Sequence, residues 1–122
     1  MKILMVEPGK APEEKNISGT LDSMQEAVGG TIQAIYPFDE PVALICNDDG
    51  KLMNLPMCRS IYEIGDVIFG SFFVCAAPPG HRNFASLRGA DRAIQGAVPL
   101  PGDFSAYRWR YHLCAEKFVI VR

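Results

Sequence analysis

The sequence lacks most of the features that mark enzymes and metal sites. Its 122 residues include only two histidines and one tryptophan. Four cysteines are present, but no two of them form the Cys-x-x-Cys spacing of zinc sites and redox motifs. There is no Gly-x-Ser-x-Gly nucleophile elbow and no glycine-rich phosphate loop. We therefore expect no metal site, no cofactor and no catalytic centre, so that the protein is not an enzyme.

Long apolar runs and export signals are also missing. The longest apolar run, residues 67–77, is interrupted by Gly70 and Ser71 and falls short of the roughly 18 residues that cross a bilayer. The apolar stretch at residues 3–6 is too short for a signal peptide, and no cleavage-site pattern follows it. We expect a cytoplasmic protein without membrane contact, in which the cysteines are reduced.

The composition is that of one small domain with unevenly distributed charge. Hydrophobic residues make up 48% of the chain and charged residues 21%, which is ordinary for a globular protein. Residues 1–79 carry five Lys/Arg and eleven Asp/Glu, whereas residues 80–122 carry seven Lys/Arg and three Asp/Glu. Six of those seven cations are arginines, whose planar guanidinium groups pair well with phosphate or carboxylate. Attraction between the two parts of the chain is the simpler interpretation, and recognition of an anionic ligand is the alternative.

Hydrophobic periodicity predicts one short helix and several strands. The helix covers about residues 20–28, because Leu21, Met24 and Val28 fall on one face and Gly29 can end it in the left-handed conformation. Apolar segments of strand length account for most of the remaining core. Their approximate positions are 2–6, 15–17, 31–36, 42–46, 51–53 and 65–77, the last with a bulge or a close backbone approach at Gly70.

The connecting segments complete the predicted organisation. The strands at 31–36 and 42–46 are close enough in sequence to pair as an antiparallel hairpin. Residues 57–62 predict an irregular helical turn, and residues 80–102 predict a long loop. Ser105 can cap a final helix, although the end of that segment also fits a closing strand, residues 118–121.

These elements predict a single α+β domain that spans residues 1–122. The sheet is expected to be small, mixed and mostly antiparallel, with one short N-terminal helix and a C-terminal helix or helical turn. Residues 2–77 form the predicted core. The arginine-rich loop and tail, residues 78–122, are expected to pack on it.

Several motifs occur in an order that resembles one protein family. They are Val28-Gly29-Gly30, the Asn-Asp-Asp-Gly-Lys-Leu segment 47–52, Leu55-Pro56 and the strand signal at 66–74. The series covers about residues 2–77 and resembles the family catalogued as domain of unknown function 3846, whose short members come from bacteriophages, conjugative elements and their bacterial hosts. The resemblance implies an α+β fold and a mobile-element origin, but no activity. Two departures are Cys58, where the family tends to have asparagine, and a longer, more arginine-rich tail.

Asn47 begins the acidic segment of that series. Asn, Asp and Gly dominate tight turns, so a turn is the simpler interpretation of residues 47–50. A calcium loop is disfavoured because hydrophobic residues and Pro56 occupy the later positions, where oxygen ligands would be needed. Contact with a ligand at the turn is the alternative.

Aromatic residues alternate with arginines in the tail, at residues 107–112. Such a segment suits stacking on a base together with phosphate pairing. It also suits a protein interface or the inward packing of an amphipathic helix. The candidate ligand-binding residues of the whole chain are Asn47, Arg59, Tyr62, Arg82, Arg88, Tyr107, Arg108 and Trp109.

Two functions fit these observations. The first is a non-catalytic protein that binds a nucleotide-like small molecule, with arginines on the phosphate and aromatic rings on the base. The mobile-element origin implied by the resemblance makes sequestration of a host immune nucleotide, an anti-defence sponge in the bacterial cytoplasm, its specific form. The alternative is an interaction module that binds a host or phage protein through residues 80–112. Nucleic-acid binding is disfavoured by the net charge of −2, and a homo-oligomer would cover open edges of the strand at 65–77.

Overall fold

A computed structural model describes residues 1–80, 82–88, 94–106 and 118–121. In this part of the chain, six strands form one antiparallel sheet and two further strands form a separate antiparallel ribbon. The predicted α+β fold is confirmed. No helix in the described ranges has the length and hydrophobicity that crossing a membrane requires. The elements in chain order are β1 (Lys2–Val6), β2 (Glu13–Asn16), α1 (Leu21–Val28), β3 (Ile32–Ile35), β4 (Val42–Asn47), β5 (Met57–Ile61), a 3-10 turn (Tyr62–Ile64), β6 (Asp66–Phe69), β7 (Phe72–Ala76), α2 (Ile94–Ala97) and β8 (Phe118–Val121).

The large sheet has the strand order β2-β1-β7-β4-β3-β8. Its centre is formed by β7 and β4, in which every residue is buried. A strand covered on both faces reads as a continuous apolar run, and this is how both segments appear in the sequence. The predicted hairpin is confirmed by the antiparallel pairing of β3 with β4, in which Ile32 lies opposite Asn47. The edge strand β2 is exposed and charged, which discourages pairing with another chain.

The predicted helix is confirmed over Leu21–Val28. Its first turn is capped by Thr20, whose Oγ1 accepts a hydrogen bond from the Ser23 amide at 3.2 Å. It ends at Gly29, which adopts a φ of 79° that a side chain would disfavour. Met24 and Val28 are buried, and they hold the helix on one face of the sheet.

The sheet is covered on both faces, so the domain has three layers. The β5–β6 ribbon packs on the face opposite α1. The layer between sheet and helix contains Ile3, Met5, Met24, Val28, Ile32, Ala34, Ala43, Ile45, Phe73 and Cys75. The layer between sheet and ribbon contains Leu4, Val6, Ile35, Val42, Leu44, Cys46, Cys58, Ile61, Ile64, Ile68, Phe72, Val74 and Val98.

The prediction of one continuous strand over residues 65–77 is wrong. The segment forms β6 in the ribbon and β7 in the sheet. The chain turns at Gly70, which has a φ of 85° and donates its amide to the Pro56 carbonyl at 2.7 Å. A β-carbon there would lie 2.7 Å from Leu55 Cδ1, so the turn needs glycine. Because β7 pairs on both sides, it does not offer the open edge from which a homo-oligomer was expected.

Two further assignments differ from the sequence-based predictions. Residues 51–53 form part of a turn and not a returning strand, because the chain passes from the sheet to the ribbon. The segment from Met57 is a strand and not a helical turn, since it pairs with β6 and its Cys58 and Ile61 pack on the sheet. The closing strand is confirmed as β8, which pairs with β3, whereas the predicted helix after Ser105 falls largely outside the described residues.

Candidate functional site

The acidic turn is joined to the end of the helix by Asn47. Its Nδ2 donates to the Val28 carbonyl at 3.1 Å, and its Oδ1 accepts from the Asp49 amide at 2.8 Å. The side chain is 95% buried. A β-carbon on Gly30 would lie 3.0 Å from that Nδ2, so a small residue is needed beside it. Asn47 therefore joins the Val-Gly-Gly helix end to the turn, and both of its side-chain polar atoms are occupied.

The segment that follows, residues 48–56, is a single rigid loop, here named the β4–β5 loop. Its backbone makes internal hydrogen bonds from Met53 to Asp49 at 2.8 Å and from Leu55 to Gly50 at 3.0 Å. Gly50 lies against β6, where a β-carbon would come within 2.5 Å of the Phe69 carbonyl oxygen. Loops with this many fixed contacts keep one shape, which lowers the entropic cost of binding a ligand.

A salt bridge attaches the β4–β5 loop to the ribbon. Lys51 Nζ lies 2.6 Å from Asp66 Oδ2, and the other oxygen of Asp66 accepts from the Val67 amide at 2.7 Å. The Lys51 ammonium also lies 5.7 Å from the centre of the Phe69 ring, within cation–π range. The Lys51 ammonium therefore stabilises the position of the β4–β5 loop against the ribbon.

A cavity of about 240 Å³ lies between this loop, the sheet and the ribbon, and it is partly open to solvent. Gln33 and Cys46, which are paired across β3 and β4, line it from the sheet. Leu52 forms part of the rim and is 87% exposed. The lining is mostly apolar, and the remaining residues that contribute are Ile35, Asn47, Asp48, Asp49, Gly50, Lys51, Ile64, Asp66, Val67, Ile68 and Phe69.

The polar part of the lining is acidic. Among the described lining residues, three aspartates stand against one lysine, and Lys51 is already paired with Asp66. The carboxylate of Asp49 is exposed and makes no hydrogen bond or ion pair with another described side chain. Within the described ranges, no group of three His, Cys, Asp or Glu side chains is placed to hold a metal ion. The cavity thus offers an apolar interior and a negatively charged rim.

The family of the chain can now be stated. A family model described as Domain of unknown function (DUF3846) matches residues 1–96, more than half of the sequence. The chain belongs to this family. The resemblance seen over residues 2–77 is thereby confirmed, and the match extends further along the chain. No match was found among curated proteins or among solved structures.

The structure gives a physical role to the motifs of this DUF3846 protein. The helix end at Gly30 contacts Asn47, Gly50 contacts β6, and Leu55 contacts the turn at Gly70. Motifs that are far apart in sequence therefore meet around the β4–β5 loop, beside the cavity. The series specifies the shape of this corner of the domain.

Arg59, a predicted ligand contact, is fully buried in this DUF3846 protein. Its guanidinium donates to the carbonyls of Pro99 at 2.9 Å, Cys58 at 2.9 Å and Glu7 at 3.3 Å, and also to that of Lys10. No carboxylate lies within ion-pair distance of it among the described residues. The structure thus places Arg59 in the interior, where it holds three separate chain segments together.

Tyr62 lies outside the cavity lining, at the end of the ribbon. Its hydroxyl is 2.6 Å from both Asp103 Oδ2 and Ser105 Oγ. These hydrogen bonds lower the pKa of the Asp103 carboxyl below its ordinary value. The one from Tyr62 has the largest effect, and those from Ser105 follow. The backbone carbonyl of Asp103 also accepts from the amide of Ser60 at 3.1 Å. Tyr62 therefore helps to fasten residues 99–106 to β5.

The two other predicted site residues that the structure describes, Arg82 and Arg88, do not line the cavity. Arg82 and Arg88 are exposed and flank Ala85, which pairs with Ala76 at the end of β7. That end of the sheet holds the start of β4, whereas the cavity adjoins the end of β4, at Asn47. The other candidates lie outside the described residues, and these are Tyr107, Arg108 and Trp109.

Sequence reasoning missed the residues that shape the cavity. Gln33, Asp66 and Phe69 were not among the predicted site residues, and they reach the loop only because the ribbon folds back on the sheet. The signal that could have located the site was the pair of unusual glycines, Gly50 and Gly70, at which the backbone approaches another segment closely.

The three described cysteines are buried and free. Burial raises the pKa of each thiol, Cys46, Cys58 and Cys75, to about 12. For Cys58 the neighbouring Arg59 acts in the opposite direction, but the effect of burial is larger. Arg59 therefore does not activate Cys58, since a thiol that stays protonated is a poor nucleophile.

These thiols are expected to resist alkylation at pH 8 in the folded protein. Iodoacetamide should leave Cys46, Cys58 and Cys75 unmodified in buffer and modify all three in denaturant, as read by peptide mass spectrometry. Because folding raises their pKa values from 9.0 to about 12, the folded state holds protons that the unfolded chain releases. The free energy of unfolding should thus be independent of these groups below pH 9 and fall as the pH rises above it. Modification of native Cys58 at the rate of a free thiol would contradict this prediction.

Proposed function

We propose that this protein binds a small organic molecule without converting it, and that the cavity beside the β4–β5 loop is the binding site. The observation that carries the proposal is an apolar cavity whose polar rim is held in one shape by the contacts of Asn47, Gly50 and Lys51. Ligand sites are typically concave and mostly apolar, with a few placed polar groups.

The size of the cavity indicates the size of the group that it receives. Pockets for drug-sized ligands span roughly 300–1,000 Å³. A volume of about 240 Å³ is somewhat smaller. The cavity therefore suits one ring-sized group, either a small ligand or one end of a larger ligand.

Two observations favour capture over catalysis at this site. Cys46, the thiol that lines the cavity, is kept protonated by burial, so it is not a ready nucleophile. The loop is fixed by its own hydrogen bonds before any ligand arrives. A preorganised site favours tight binding, which is what sequestration requires.

The sequence suggests a more specific form of this function. In that form the protein comes from a phage or mobile element and sequesters a host immune nucleotide in the bacterial cytoplasm. In that form the base would occupy the cavity. The phosphates would need cations that the described arginines do not bring to the cavity, so this form depends on Arg108 of the tail for the phosphates. The alternative, a protein-binding module acting through residues 80–112, depends on the same tail and stays a prediction, as does a homo-oligomer.

Calorimetry with a ligand panel and two variants of Gln33 tests the proposal. The panel contains cyclic dinucleotides, ADP-ribose derivatives, free nucleobases and indole. At least one member should bind with a Kd below about 1 mM, or about −4 kcal/mol. Gln33→Phe fills the cavity and should weaken that binding at least tenfold, whereas Gln33→Ala enlarges the cavity and should not. Absence of binding by every member, or binding that Gln33→Phe leaves unchanged, would refute this site.

A further inference from the structure

The geometry points to a ligand that joins an apolar ring to a positively charged group, such as an aromatic amine. This inference rests on the proposed function and specifies the chemical class that the cavity would take. It concerns three parts of the site: the apolar floor, the paired lysine and the acidic rim.

The floor of the cavity selects an apolar body. Ile35, Ile64 and Ile68 come from the sheet, the 3-10 turn and the ribbon, and all three are buried. The Phe69 ring is half-buried at the same site and adds to the apolar lining. Nothing in this floor would satisfy a charged group, and an unpaired charge placed there would be costly.

Lys51 is the only lysine among the described lining residues, and it already forms a salt bridge. Lys51 is held 2.6 Å from Asp66 Oδ2 and lies over the Phe69 ring. If the Lys51 ammonium moved to pair with a phosphate, Asp66, which is 92% buried, would lose its counterion. Lys51 is therefore poorly suited to recognise an anionic ligand.

The rim favours a cation. Asp48 and Asp49 follow directly after β4 at the mouth of the cavity, and the Asp49 carboxylate is exposed and makes no ion pair with a described residue. A ligand whose ring enters the cavity leaves its polar substituent at this mouth. An ammonium there is attracted by the carboxylates, whereas a carboxylate or phosphate is repelled.

Three probes with the same ring and different charge test this inference: tryptamine, indole and indole-3-acetate. Calorimetry at about 10 mM salt keeps electrostatic screening low. Tryptamine should bind at least about fivefold tighter than indole-3-acetate, with indole between them. Raising the salt to about 0.5 M should reduce that ratio, because the contact lies at an exposed rim.

Two variants with the same change of charge provide the matched control. Asp49→Lys should abolish or reverse the preference for tryptamine. Glu40→Lys should leave it unchanged, because Glu40 is exposed and precedes β4 whereas Asp49 follows it, and the six residues of β4 span roughly 17 Å. Both sites are on the surface, so neither substitution should unfold the protein.

The possible results separate the two proposals. If none of the three probes binds and Gln33→Ala does not change this, the cavity is not a site for a ring, and the proposed function fails with it. If indole-3-acetate binds as tightly as tryptamine and Gln33→Phe abolishes both, the cavity is a site but the inferred charge is wrong. A preference for tryptamine that survives Asp49→Lys and disappears in Glu40→Lys would also overturn the inference.

Discussion

Replacing Arg59 with methionine should lower the free energy of unfolding by about 3–5 kcal/mol, because several buried carbonyls would lose their hydrogen-bond donor at a cost of about 1–3 kcal/mol each. The guanidinium is fully buried and donates to four backbone carbonyls, which belong to the turn after β1, to β5 and to the segment at Pro99. Methionine keeps much of the volume but provides no donor, so these carbonyls would lose their partner in the interior.

Urea unfolding followed by far-UV circular dichroism measures this effect. Arg82→Met is the matched control, because Arg82 is exposed and its replacement should change stability by no more than about 0.5 kcal/mol. The free energy of unfolding of Arg59→Lys should lie between those of the wild type and Arg59→Met. An ammonium keeps the charge, but it lacks the planar set of donors with which the guanidinium reaches four carbonyls. A stability of Arg59→Met within 1 kcal/mol of wild type would show that the buried guanidinium is not a structural cross-link.

Replacing Gly50 with alanine should cost about 1–3 kcal/mol, the usual range for overpacking in a closed site. The new β-carbon would lie 2.5 Å from the Phe69 carbonyl oxygen. That oxygen is backbone and cannot rotate away, so the β4–β5 loop would have to move from β6. The same movement would strain the contact between Lys51 and Asp66 and change the mouth of the cavity.

Gly96→Ala is the matched control for this substitution. No atom lies within 4 Å of a β-carbon at Gly96, which sits in the short helix α2 with an ordinary φ. Its stability should equal that of wild type or exceed it slightly, because alanine has a less disordered unfolded state. If Gly50→Ala were as stable as Gly96→Ala and bound a ring ligand equally well, the loop would not be packed against β6 as described.

Local signals in the sequence were sufficient to predict the helix α1 and the β3–β4 hairpin. Thr20, Met24 and Gly29 fix the helix through capping and spacing, and the apolar segments of β3 and β4 are near enough in sequence to pair directly. These features depend on neighbours within a few residues. Sequence periodicity therefore predicts them well.

The layering could not be predicted in this way, because it depends on contacts between distant segments. Gly70 marked an irregularity in the apolar run, but not that the chain would turn there and send β6 and β7 into different sheets. An arginine also suggests a ligand contact because its guanidinium pairs well with phosphate, yet Arg59 is buried because carbonyls from distant turns converge on it. Likewise, Lys51 and Asp66 meet only after the ribbon has folded onto the sheet.

A single titration tests the central claim most directly, which is that the cavity beside the β4–β5 loop binds a ring-bearing ligand. Tryptamine is added to the ¹⁵N-labelled full-length protein, and the amide chemical shifts are followed at each step. The account predicts saturable shifts concentrated at residues 48–53, Gln33 and Phe69, with little change at Arg82 or Glu40. Shifts that are absent, or that cluster instead at another, more open cavity of about 420 Å³ lined by Lys15 and Ser23, would contradict it.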